Sequence, residues 1–92
     1  KEYIISNQIF KSATSIGANL KEAIYAQSQK DFLHKMSIAL KESAETEYWL
    51  ELLKETEYIT EEAFLSLHAD NEEIIKILTA TTKTIKNKIS NN

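Results

Sequence analysis

The side chains best suited to chemistry in this 92-residue chain are its two histidines, a series of closely spaced glutamates, and a polar run at residues 11–23, KSATSIGANLKEA. Asp31 and His34 stand in a carboxylate-x-x-His relation, the spacing used in di-iron helical bundles. Such a centre needs two of these pairs and two further glutamates converging on one site. Leu65 occupies the matching position before His68, so the second pair is absent and His34 reads as a surface histidine. Glu45 and Glu47 are two residues apart, which on a helix turns them to different sides. Paired acid–base carboxylates must converge on one site, so these two read as helix solvation. With no cysteine there is no disulfide or thiolate metal site, and no Ser/His/Asp order, phosphate loop or zinc spacing is present. The residues therefore supply no catalytic set, no metal-ligand set and no cofactor site. An enzyme centred on Asn19 and Glu22 is the weakest of the functional readings.

The polar run has a structural explanation. Gly17, the one glycine of the chain, costs a helix about 1 kcal/mol relative to alanine. With Ala13 and Ala18 it forms a small-residue strip that would let two helix backbones come close. The expectation is a tight helix seam built on Ser15, Gly17, Asn19 and Glu22, with Asn19 and Glu22 tied to another helix through Ser43 or Glu47.

Three helices must position these residues. The chain has no proline and a single glycine, and its Lys, Glu, Ala, Leu and Ile content favours an all-α fold with few turns. A helix over about residues 2–26 follows from Ile5, Ile9, Ala13, Ile16, Leu20 and Ala23 with Ile24, in steps of three and four. Ser28, with Asp31 three residues on, caps a second helix over about 29–56. Phe32, Met36, Ala39, Ser43, Thr46, Leu50 and Leu53 form a heptad seam along it. Thr60 caps a third helix, about 61–88, with Glu61 and Glu62 in its first turn. Asp70 and Asn71 interrupt its apolar stripe and read as a solvated turn of helix. Short connections make successive helices antiparallel neighbours, giving one up-down bundle domain over residues 1–92.

That topology places the charges. The net charge of −3 divides into +3 over residues 1–41, −10 over 42–73 and +4 over 74–92. One end of the bundle is then acidic, and the other gathers Lys21, Lys30, Lys35, Lys83, Lys86 and Lys88, which read as a solvated surface matched to the helix dipoles or, alternatively, as a candidate nucleic-acid contact. Trp49 falls beside the heptad seam, and with Tyr48 and Tyr58 it is a candidate oligomer interface, the alternative being packing within the subunit. No apolar run approaches the ~20 residues of a membrane span. With no signal peptide in these residues, the expected location is cytoplasmic.

Two separated motifs resemble the four-helix-bundle family of 23S rRNA-intervening sequence proteins. Ser15, Ile16, Asn19 and Glu22 match its Ser-Ile-x-x-Asn-x-x-Glu signature. Asp31, Phe32, Ile38, Ala39 and Glu42, then Glu45, Thr46, Glu47, Tyr48, Trp49 and Leu50, match a second, and Tyr58-Ile59 closes it. The resemblance covers nearly the whole chain and is weakest after Leu67. It implies an antiparallel four-helix protomer assembled as a homopentamer. Some members are encoded within intervening sequences of bacterial ribosomal RNA genes. A related group serves as the accessory protein of diversity-generating retroelements, where a basic pentamer engages a reverse transcriptase and nucleic acid. The family helix ahead of the Ser-Ile-x-x-Asn helix has no counterpart here, so the expectation is a chain lacking that first helix. The acidity of this chain also sets it apart from the basic members. The expected function is a non-enzymatic oligomeric scaffold or binding module with no small-molecule substrate. RNA or ribonucleoprotein binding through the lysine-rich end is the alternative.

Overall fold

The computed structural model describes residues 2–91, with side-chain surroundings described for residues 3–91. They form three helices, α1 (Glu2–Ile24), α2 (Gln29–Glu55) and α3 (Glu61–Ser90), in a rod measuring 49 × 19 × 15 Å. The caps set these boundaries. The Asp31 backbone N–H donates to Ser28 Oγ at 3.0 Å, while Asp31 Oδ2 accepts from the Gln27 N–H at 3.3 Å, so both sides of the α2 entry are satisfied. The Ala63 N–H donates to Thr60 Oγ1 at 3.0 Å and starts α3 in the same way. α1 stops at Ile24, two residues earlier than its periodicity suggested, because the Tyr25 and Ala26 N–H groups tighten onto the carbonyls of Glu22 and Ala23.

The turn between α2 and α3 forms without a glycine. Glu57 takes the left-handed conformation (φ 63°). Its N–H donates to the Lys54 carbonyl and that of Tyr58 donates to Leu53, each at 3.0 Å. This is a Schellman closure with glutamate at the position glycine usually fills.

α2 is the central element. α1 and α3 each pack against it antiparallel, and no Cα of α1 comes within 8 Å of one of α3. The buried positions of α2 are Met36, Ala39, Ser43, Thr46, Leu50 and Leu53, which are the heptad positions from Met36 onward. The two polar members of that seam turn their hydroxyls onto their own helix, Ser43 Oγ donating to the Ala39 carbonyl and Thr46 Oγ1 to that of Glu42. Ile16 and Ala23 from α1, Met36 and Ala39 from α2 and Leu78 from α3 make one core cluster, with Leu20, Phe32, Leu40 and Ile74 packed around it. Towards the other end, Ile5, Leu50, Leu53 and Phe64 are buried.

Two elements differ from expectation in which residues they bury. In α1, Ser12 takes the core position and Ala13 and Ile24 are exposed. α3 runs without a break through Asp70 and Asn71, and Asn71 is a core residue at 5% exposure. Its Nδ2 donates to the Ser43 carbonyl at 2.9 Å, fixing α3 against α2.

Candidate functional site

The expected seam around Gly17 is not where the helices meet. Gly17 is exposed, and a Cβ added there would meet nothing within 4 Å. Ala13 and Ala18 are exposed beside it. Asn19 Nδ2 donates within its own helix, to the Ser15 carbonyl at 2.9 Å and Ser15 Oγ at 3.3 Å. Neither Ser43 nor Glu47 is its partner. Glu22 does reach α2, through Lys35 Nζ at 2.7 Å. That hydrogen bond, then the Glu22 charge, raises the Lys35 pKa above the usual lysine value, helped by Asp31 and opposed by a small loss of hydration. The pair's stabilising contribution is complete below the ordinary lysine pKa and disappears as the pH rises through the folded value. The small buried residues that allow close packing are Ala39 and Ser43 on α2, with Ala23 on α1.

Gly17 belongs to a different feature. Tyr3, Phe10, Gly17 and Ile24 recur every seven residues on the outward side of α1, and the three large ones are 78%, 69% and 75% exposed. A second apolar patch involves the predicted aromatic residues. Tyr48 and Trp49 stack edge to face at 5.0 Å and line a shallow groove together with Gln8, Ala44 and the charged Lys41 and Glu45. Tyr48 is exposed and Trp49 half-buried. Tyr58 lies apart from them, on the α2–α3 turn beside Lys54 and Glu61. A third apolar feature is a groove between α1 and α3, floored by Thr46 and Leu50 and walled by Ile9, Ile16, Leu67 and Ile74.

The lysines fall as the topology requires. The C-terminal ends of α1 and α3 and the N-terminal end of α2 share one end of the rod, bringing Lys21, Lys30, Lys83, Lys86 and Lys88 there as exposed side chains. Among the described residues none of these five is in an ion pair. Lys35, one turn below, is committed to Glu22.

Glu45 and Glu47 turn to different sides of α2 as their spacing predicts, but Glu45 is exposed and Glu47 half-buried, so the helix-solvation reading holds for Glu45 and not for Glu47. Burial, then the adjacent Glu45 carboxylate, raises the Glu42 pKa, with Lys41 opposing. That penalty on the folded state is relieved as the pH falls through the raised value. Glu47 turns to α3 and meets His68, with Nε2 to Oε2 at 3.5 Å. Glu72, one turn beyond His68, brings a carboxylate oxygen to the same place, and the three potential donor atoms lie within 4.8 Å of one another. His68 and Glu72 are four apart in the sequence, the one signal of this cluster legible there. The contribution of Glu47 depends on the α2–α3 register.

No helix among the described residues is long and apolar enough to cross a membrane. No curated protein matches the chain. A solved structure from Bacteroides thetaiotaomicron VPI-5482, a protein with unknown function from the S23 ribosomal protein family, is 56% identical with a TM-score of 0.85. The match covers 87% of this chain and 71% of that one. Neither it nor the family model names an enzymatic activity. The model for 23S rRNA-intervening sequence proteins matches residues 1–80, and the chain belongs to that family.

Proposed function

We propose that this chain is a non-enzymatic binding module that works as a ring of identical subunits, the homopentamer implied by its family resemblance. The observation carrying this reading is the outward heptad stripe of Tyr3, Phe10, Gly17 and Ile24. A helix that exposes large apolar residues at this spacing is ready to pack against another helix. Gly17, at the middle of the stripe, gives the neighbouring backbone room to approach, which accounts for a helix-weakening residue that no internal contact requires. A ring also needs two unlike patches on each subunit, because head-to-tail interfaces join different surfaces. The Tyr48–Trp49 patch supplies the second. It meets α1 at Gln8, which lies about 160° around the helix from Phe10.

The test is solution mass by light scattering. A single species at five times the 10.5 kDa chain mass is expected, and a clean monomer would overturn the reading. Gly17→Leu should leave far-UV circular dichroism intact and reduce the mass, as should Trp49→Ala. Unchanged mass in both variants would remove these two patches from the interface.

The unpaired lysine end favours one further reading, RNA binding by the assembled ring. Retention on immobilised RNA should then fall steeply with salt and disappear in the double variant Lys83→Glu, Lys86→Glu. Absence of binding at low salt would exclude it.

A further inference from the structure

We propose that Glu47, His68 and Glu72 form a zinc-class divalent metal site that clips α3 to α2. The first support is geometric. Ligands bound to zinc at about 2.0–2.1 Å in a tetrahedral arrangement stand about 3.3–3.4 Å apart. Glu47 Oε2 and His68 Nε2 are separated by 3.5 Å, close to one edge of that tetrahedron. Glu72 adds a carboxylate oxygen, and one potential donor atom from each of the three residues lies within 4.8 Å of the others. Glu72 is exposed, so its side chain has room to move toward the other two.

The donor chemistry selects the ion. One imidazole nitrogen with two carboxylates suits zinc and its borderline neighbours better than magnesium or calcium, which take oxygen ligands and more of them. Two carboxylates and a neutral imidazole offset the charge of a divalent ion. The three side chains leave part of the coordination sphere to water.

The surroundings hold two of the ligands in place. His68 stacks on the Phe64 ring at 5.0 Å with a 30° interplanar angle, and Phe64 is itself buried. The ring that presents Nε2 is thus supported from the core. Glu47 and His68 are both half-buried where α2 faces α3. Lys54 is directed elsewhere, with Nζ 3.8 Å from Glu61 and 4.8 Å from the Phe64 ring centre. His68 and Glu72 lie on one face of α3, one turn apart, while Glu47 comes from α2. Binding therefore couples directly to the docking of the two helices, and stability provides a readout that needs no assigned activity.

The experiment is calorimetric titration of the intact chain with Zn²⁺, paired with thermal unfolding with and without the ion. One Zn²⁺ per chain and a rise in Tm of about 5 °C or more at saturating metal are expected, reversed by chelator. Glu72→Gln alters an exposed residue and should weaken binding at least tenfold without changing the Tm of the metal-free chain. His68→Ala should remove both the heat and the Tm rise, His34→Ala should change neither, and Mg²⁺ at the same concentration should reproduce neither. Zn²⁺ binding that survives both His68→Ala and Glu72→Gln would overturn the assignment, as would the absence of a Tm rise in the parent chain.

Discussion

Leu78→Ala is expected to destabilise the subunit by about 2–5 kcal/mol, the range for a buried leucine truncated in a packed core. Leu78 is 2% exposed and is the α3 member of the cluster shared with Ile16, Ala23, Met36 and Ala39. Its importance comes from topology. The backbones of α1 and α3 do not approach one another, so their apolar side chains meet above α2. Truncating Leu78 opens a cavity where all three helices contribute and weakens the packing of α3 as a unit. Small domains have only about 5–15 kcal/mol of stability in total, so this one change should move the denaturation midpoint far down. Chemical denaturation followed by far-UV circular dichroism measures it. Ile77→Ala provides the comparison, being next in sequence but 56% exposed, and should shift the subunit's stability by less than about 0.5 kcal/mol. Equal losses in the two variants would mean that Leu78 does not hold the core position described for it.

The legibility of this molecule follows from what each pattern encodes. The α2 seam was readable because a helix buried between two neighbours repeats its small and apolar residues with little interruption, and the positions from Met36 to Leu53 are the ones buried. Ser28 and Thr60 were readable because capping is local chemistry, complete within four residues. α1 was harder to read. It carries two periodic faces, one turned to α2 through Ile5, Ser12, Ile16 and Ala23, the other outward through Tyr3, Phe10, Gly17 and Ile24. Small residues at Gly17 and Ala18 show that something can approach the helix without saying from which side. Polar residues misled in both directions. Asn19 satisfies itself on Ser15, whereas Asn71, part of a pair that looked solvated, spans two helices. Nothing local distinguishes the two asparagines; the difference lies in which face of its helix each occupies. The Glu47–His68–Glu72 cluster was hidden for the same reason, since one of its members sits 21 residues from the next and is brought there by the antiparallel register.

That register gives Asn71 the second large effect. Its side-chain amide donates to the Ser43 carbonyl in a part of the α2–α3 interface where both residues are buried. Asn71→Asp keeps the shape and replaces the donor with a carboxylate oxygen facing another oxygen. A carboxylate buried without a partner costs several kcal/mol, so a loss of about 3 kcal/mol or more is expected at neutral pH. A protonated carboxyl can donate where a carboxylate cannot, so part of the loss should return on acidification, with the variant gaining on the parent as the pH falls. Asn71→Leu separates the hydrogen bond from the charge. It fills similar space and gives up the donor, while the Ser43 carbonyl remains within a helix that can satisfy it. The cost should stay below about 1.5 kcal/mol. The expected order of denaturation midpoints is therefore parent, Asn71→Leu, Asn71→Asp. If Asn71→Asp were as stable as the parent at neutral pH, Asn71 would have to be in contact with water, and α3 would not be held against α2 in the register that also brings His68 to Glu47.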